Sequence, residues 1–506
     1  MEGCVNMELD LKYQEIQNCE VKGGMVVSHE ESMETAIPEY CPDITRVVDA
    51  LGQLKVKEKT LANGRLTISG AVKMTVLYTS EESPGLRSVA LSIPYSCSVE
   101  DARLMGCRSV CVCGRLTLAE ARAITSRKLY VRVLPEFEVE GIACPQQEIC
   151  CCAEGLPTLQ VRRKELETQM LTEVLEREFQ FQQECSVERE RGLPEDLLLD
   201  RVSLCVTECR RVSTKLVIKG EAFISVLYRS ETQALCCHDA VLPFSQILDG
   251  ANLPEEGTYQ AEAWPIDSDV RLLRTENGCC FGISLRIGLL IKVYQQMKLT
   301  YIEDLYCTDR EADVKKQDLT LETGESTKKV RGEAVQTLEL GQGTPFICLT
   351  GTQCGAVTPA AEGGRSVLKT NLRLKVLYLD ENGTPVSAER VVEVTVPTQE
   401  MPKSVHAQCQ SAALRLSGGS CEIKIPVDFL LEQTQKQHLE SVCAVELQEK
   451  VQQERPSLVL RRVGAGEDLW QIAKQYYADP QMILTANQLD EDAPLPEGLL
   501  LIPKSR

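Results

Sequence analysis

Apolar and polar residues alternate with a period of two along most of this chain. The alternation is clearest from Gly64 to Tyr78, Lys215 to Tyr228 and Ser366 to Tyr378. Successive side chains of a strand point to opposite faces, so each segment predicts one long half-buried strand. All three contain a Val-Leu-Tyr triplet, beginning at Val76, Val226 and Val376, and the period is therefore 150 residues. A polar turn follows each: Thr79 to Gly85, Arg229 to Gln233, and Asp380 to Gly383. The last holds Asn382-Gly383, which supplies positive φ cheaply and predicts a hairpin. Returning strands are expected near 87–93, 234–242 and 387–396.

Further strand pairs are predicted at 114–121 with 128–140, 270–274 with 280–294, and 412–416 with 421–432. Pro135 marks an edge or a bulge in the first of these. Segments 12–27 and 163–187 lead into the first two units. Phe179, Phe181, Cys185 and Val187 alternate, which favours strand there, whereas 161–175 fits helix or strand. With aromatics at only 5%, the units should be thin β-sandwiches or open barrels filled by Val, Leu and Ile. The expected boundaries are 1–153, 154–310 and 311–450.

After residue 455 the period changes. Leu458 to Val463 predicts a strand, which Gly464 and Gly466 break. Asp468 can cap a helix with Leu469, Ile472, Ala473 and Tyr476 on one face. Asp479-Pro480 starts a second helix, because proline at the first helical position loses no hydrogen bond. Met482, Ile483 and Ala486 continue it, and Leu499 to Ile502 is a strand stopped by Pro503. In this spacing residues 455–506 resemble a LysM module, a small βααβ fold that recognises N-acetylglucosamine polymers. The resemblance implies a groove with Gly466, Glu467, Asp468 and Leu469 on one wall and Asn487, Gln488, Leu489 and Asp490 on the other. Trp470 and Ile472 are expected in the core. The sequence departs from the family at Asp468, where Thr is usual, and at Tyr477, where Gly serves a positive φ. The two acids of the first loop disfavour an anionic glycan.

Ile37 to Val47 carries Pro38-Glu39 and Pro42-Asp43-Ile44. With the following Val-Leu-Tyr strand, this run resembles the SPOCS domain of spore-coat proteins in endospore formers. The second unit keeps only Pro194-Glu195 and Asp200-Arg201 of it, and the third keeps none. The implied fold is mostly β: three tandem SPOCS-like units, then the LysM. The implied role is that of a mother-cell scaffold at the forming spore surface, with the β units touching other coat proteins. In such proteins the LysM engages the basal-layer ATPase of the coat, so its partner here is expected to be a basal-layer coat protein or an N-acetylglucosamine-containing glycan.

Charge and chemistry narrow this picture. The net charge is −19, while residues 455–506 hold 6 Lys+Arg against 7 Asp+Glu, so the negative charge lies upstream. That disfavours nucleic acid and anionic membranes. The first residues show no basic or apolar leader, and no run is long enough to span a bilayer, which predicts a cytoplasmic protein. The 24 cysteines cluster locally, as in Cys150-Cys151-Cys152, without paired metal spacing, and are expected to be reduced thiols. Cross-linking within a coat is the other reading. His29, His238, His406 and His438 have no metal-ligand spacing, and no phosphate loop, dinucleotide fingerprint or nucleophile elbow occurs. Cys236-Cys237-His238-Asp239 brings nucleophile, base and acid types together, but strand neighbours face opposite ways. The sequence therefore predicts a scaffold without catalysis, cofactor or metal. A glycan-binding protein with the β units as spacer is the alternative. A wall hydrolase is a third reading, which the missing export signal opposes.

Overall fold

The computed structural model describes residues 9–187, 192–275, 278–340, 346–399, 402, 404–448, 457–464, 466–490 and 495–503. Among these the chain is mostly strand, with two short α-helices near its C-terminus. Three hydrophobic clusters, each closed between two antiparallel sheets, form three lobes.

Lobe one contains β1 (Asp10–Gln17), β2 (Glu20–Ser28), β3 (Glu31–Ala36), β4 (Arg46–Ala62), β5 (Arg65–Thr79), β6 (Leu86–Glu100), β7 (Ser109–Thr125), β8 (Lys128–Ala143) and β9 (Gln146–Glu154). Its front sheet is the meander β4-β5-β6, and its back sheet centres on β8, which pairs with β2, β3 and β7. Lobe two contains β10 (Leu159–Ser186), β11 (Pro194–Val212), β12 (Lys215–Ser230), β13 (Leu235–Asp249), β14 (Gly257–Thr275) and β15 (Gly278–Cys307), ordered β11-β12-β13 in front and β10-β15-β14 behind. Lobe three contains β16 (Ala312–Glu339), β17 (Ile347–Cys354), β18 (Thr358–Glu362), β19 (Arg365–Leu379), β20 (Pro385–Pro397), β21 (Ser404–Cys409), β22 (Ala413–Ser417) and β23 (Ser420–Leu447). There β19 pairs with β17, β18 and β20, while β23 pairs with β16, β21 and β22.

The predicted alternating segments are the central front strands β5, β12 and β19. Val76 and Tyr78 face lobe one's core, Val226 and Tyr228 face lobe two's, and Val376 and Tyr378 face lobe three's. The expectation of half-buried strands fails at the triplets. Leu77, Leu227 and Leu377 point the other way, and all are buried in one further cluster shared by the three lobes. A strand covered on both faces becomes apolar on both faces, which is why the triplet breaks the alternation.

Bulges recur at matching places in the three lobes. Register shifts fall between Val47 and Asp49, Leu197 and Leu199, and Leu349 and Gly351. An extra residue bends its strand locally, and here it turns Val48 and Leu198 into the shared cluster. The hairpin turns follow suit: Asn63-Gly64, Ser213 and Gly363-Gly364 all have positive φ. At the predicted Asn382-Gly383 turn only Gly383 is left-handed, and the Asp380 carboxylate accepts from the Asn382 and Thr384 N–H groups. Pro135 lies on the central strand β8 rather than at an edge, opposite a bulge in β7 between Leu116 and Leu118. Residues 161–175 are wholly strand, within β10.

Behind the front sheets, the long strands continue as two-stranded ribbons. Ile16 and Ile149 from β1 and β9, Met170, Leu299 and Tyr301 from β10 and β15, and Leu319, Leu321 and Leu439 from β16 and β23 form a second shared core. Polar links tie lobe one to each of the other two. Lys73 reaches Asp200 at 3.0 Å, Lys375 reaches Asp49 at 3.0 Å, and His406 lies 3.5 Å from Glu138. Arg201 of lobe two reaches Thr352 of lobe three at 3.4 Å, so lobe three touches lobe two as well as lobe one, and the lobes close on each other rather than extending as a string. One cysteine pair departs from the all-thiol expectation: Cys19 and Cys144 form a disulfide where β1 gives way to β2 and β8 to β9. Their Cα atoms, 4.0 Å apart, are held there by the flanking antiparallel pairs.

Truncating Leu227 to Ala should remove about 2–5 kcal/mol, as for other fully buried leucines. The expected outcome is a lower urea midpoint reported alike by probes in all three lobes. A loss confined to residues 159–307 would mean that the shared cluster does not couple them.

Candidate functional site

The C-terminal segment folds as β24 (Leu458–Val463), α1 (Leu469–Tyr476), α2 (Pro480–Asn487) and β25 (Gly498–Pro503), with β24 and β25 antiparallel. Asp468 caps α1 by accepting from the Trp470 N–H, and Asp479 caps α2 by accepting from the Gln481 N–H. Tyr477 is left-handed at φ 52°, as its place after the first helix requires. Val463, Ile472, Ala473, Ala478, Ile483, Leu500 and Ile502 form the small core.

That core is completed by Tyr306 of β15, in lobe two. Its ring meets Trp470 edge-on with centroids 5.0 Å apart, and its hydroxyl donates to the Ala478 carbonyl at 2.7 Å. Burial pushes the Tyr306 phenol well up, so it remains a donor. Asp304, two residues earlier and hence on the same face, is buried. Its carboxylate accepts from Trp470 Nε1 at 2.8 Å and from Lys474 Nζ at 2.6 Å. Trp470 and Lys474 are one helical turn apart, so α1 presents both to the same site. Burial pushes the Asp304 carboxyl up, but the hydrogen bonds from Lys474 and Trp470 outweigh it, and the net shift is below the ordinary 3.8. Arg162, the cross-strand neighbour of Asp304, reaches Asp468 at 2.6 Å. A cation and an anion on lobe two thus face an anion and a cation on α1.

The eight predicted groove residues divide accordingly. Asp468 is held by its cap and by Arg162. Glu467 accepts from Arg461 Nη2 at 2.9 Å and from the Gly464 N–H at 3.1 Å. Asn487 donates to the carbonyls of Ile483 and Leu501 and accepts from the Leu501 N–H, so its amide locks α2 to β25. Leu469 and Leu489 pack against the small core. Gly466, Gln488 and Asp490 remain exposed at the surface. Ile472 is core, as expected; Trp470 packs against that core as well, and its indole N–H serves the joint with lobe two. Asp304, Tyr306 and Arg162 carry no local signal of their role. The one hint is that a part-buried indole N–H needs an acceptor.

In lobe one, Arg46 and Val47 already belong to β4, and residues 37–45 form a loop gripped by Arg127. That guanidinium donates to the carbonyls of Pro38 and Cys41 and to the Asp43 carboxylate. Ile37, Cys41 and Ile44 are buried, and Tyr40 is 87% exposed. Among the described residues no helix is long and apolar enough to cross a membrane, and no group of three His, Cys, Asp or Glu is placed to hold a metal.

Residues 43–112 match the family described as SipL, SPOCS domain. The match runs from Asp43 through β4, β5 and β6 into β7, and over that stretch the chain is similar to the SPOCS domain of SipL. It suggests a sporulation-related role in the coat or envelope. No curated protein and no solved structure matches the chain.

Lys474→Glu should leave Asp304 buried against a like charge, at a cost of about 3 kcal/mol. Hydrogen exchange is expected to show residues 457–503 losing protection at the Tyr306 face. Adding Asp304→Lys should restore it, and failure of that rescue would argue against the charge pairing. The pH dependence has a definite sign. A carboxyl with a depressed pKa stabilises the docked state fully above its ordinary 3.8, and that contribution is lost as pH falls through the lower folded value. In a Trp264→Phe background, Trp470 fluorescence should report undocking only below that ordinary value.

Proposed function

We propose that this protein is a scaffold of spore coat or envelope assembly. Three SPOCS-like repeats form its body, and a LysM-like module is its docking end. The SPOCS match and the recurrence of triplets, bulges and turns in all three lobes support the repeat reading. The observation that carries the docking reading is how the predicted groove is used. Asp468 is engaged by Arg162 of lobe two, and Asn487 by its own module's backbone. What remains open is Gly466, Gln488 and Asp490 around an acidic loop, a surface better suited to a protein partner than to an anionic glycan. A basal-layer coat protein is the partner in view, reached from the mother-cell side, and no catalytic step is assigned to the chain.

Glycan binding is the second reading, favoured by the βααβ order itself. The full chain should stay in the supernatant over purified peptidoglycan. A fluorescent fusion should collect at the forming spore and disperse when residues 455–506 are deleted. Sedimentation with peptidoglycan that Gln488→Ala and Asp490→Ala abolish would favour the second reading. Asn487→Ala is unsuited to that test, because it breaks the tie between α2 and β25. Lysis of cell wall by the purified chain would overturn both readings.

A further inference from the structure

Lobes two and three enclose a cleft of about 570 Å³ lined by five cysteines, Cys205, Cys237, Cys348, Cys354 and Cys409, and by Arg201. Two of these thiols are in direct contact. Cys354 ends β17 on the front sheet of lobe three, and Cys409 ends β21 on its back sheet. Their Sγ atoms lie 3.0 Å apart, one S–H donating to the other sulfur. Both side chains are half-buried. From β11 of lobe two, Arg201 enters the same cleft, its Nη1 3.4 Å from Thr352 Oγ1.

We propose that Cys354 and Cys409 form a dithiol site for a small hydroperoxide, which oxidises them to a disulfide joining the two sheets of lobe three. The roles of the two sulfurs differ. Either thiol can donate across this contact, and the one that keeps its proton stabilises the other as thiolate. Burial opposes that ionisation, and the nearby Arg201 charge favours it, leaving the Cys409 pKa below its ordinary value. Cys354 moves up, through that same contact and through burial. Cys97, Cys185 and Cys209, away from such a pair, are pushed up by burial. With the Arg201 charge in the same cleft, Cys409 is assigned as the nucleophile of the pair.

The chemistry balances with hydrogen peroxide as oxidant. Cys409, as thiolate, attacks one peroxide oxygen, the O–O bond breaks, and hydroxide leaves a sulfenic acid on Cys409. Hydroxide takes the Cys354 proton. The resulting sulfur attacks Cys409 Sγ, the S–S bond forms, and the sulfenic oxygen departs as hydroxide, which takes up the proton first released from Cys409. Two thiols are oxidised and one peroxide is reduced to two waters. The sulfurs are already in contact at 3.0 Å, so closure has only a short distance to cover.

The test uses the full-length, mildly reduced protein and hydrogen peroxide, with differential alkylation and peptide mapping of every cysteine. The Cys354–Cys409 link should form before any other new disulfide. In Cys354→Ser, dimedone should trap a sulfenic acid at Cys409. Arg201 acts as a positioning residue. Arg201→Gln should slow Cys409 oxidation about tenfold, the worth of one pKa unit in thiolate, and Arg201→Lys should restore most of the rate. Circular dichroism would establish that each variant is folded. The proposal is overturned if Cys354 and Cys409 stay alkylatable while other thiols oxidise, or if Cys409 reacts at the same rate with and without Arg201.

Discussion

The molecule depends on one packing constraint: Leu77, Leu227 and Leu377 must be buried together. Each lies between two residues committed to its own lobe, so the strand cannot turn to hide all three side chains. A fully buried leucine contributes about 1.5–3 kcal/mol, and no single lobe can collect that for its own leucine. The lobes are therefore not independent sandwiches joined by linkers. Each is complete only when its outer strand face meets the other two, and the bulges at Val48 and Leu198 add apolar surface at the same place.

Apolar contact supplies the attraction, and charge supplies the arrangement. Around the shared cluster, Lys73 meets Asp200 and Lys375 meets Asp49, each across a different pair of lobes. Buried pairs of this kind add little net stability but penalise any register that leaves one partner alone. The same device fixes the C-terminal module, where Arg162 and Asp304 face Asp468 and Lys474. The net charge of −19 makes such local pairing necessary, because unpaired carboxylates at these contacts would repel.

Much of this was legible in the sequence, for identifiable reasons. Period-two alternation located β5, β12, β19 and parts of β8, β15 and β23, because each has one face on a lobe core. Caps at Asp468 and Asp479 located both helices, because a side-chain oxygen there satisfies an exposed helical N–H. The strands β4, β11 and β16 were not foreseen. Their partners are fixed by pairing across the sheet, and β16 alternates weakly where its ribbon is exposed. The 150-residue period was visible, but not that the middle Leu of each triplet faces a common centre. The groove residues came from family resemblance, and the structure redistributes them: Asn487 and Asp468 hold the module together and in place. Asp304 and Tyr306 lie more than 160 residues from Trp470 in sequence, and only the folded ribbon of β10 and β15 brings them beneath it.

The contact between lobe three and lobe one has a geometric consequence. Repeats that stack in a line leave an unsatisfied face at each end, and such arrays need terminal caps. Here the third lobe meets the first as well as the second, so the three close on one another within one chain, a geometric counterpart of a cyclic trimer. A closed set has no growing end. What the closed arrangement leaves facing outward is the outer edges of the sheets and the C-terminal module.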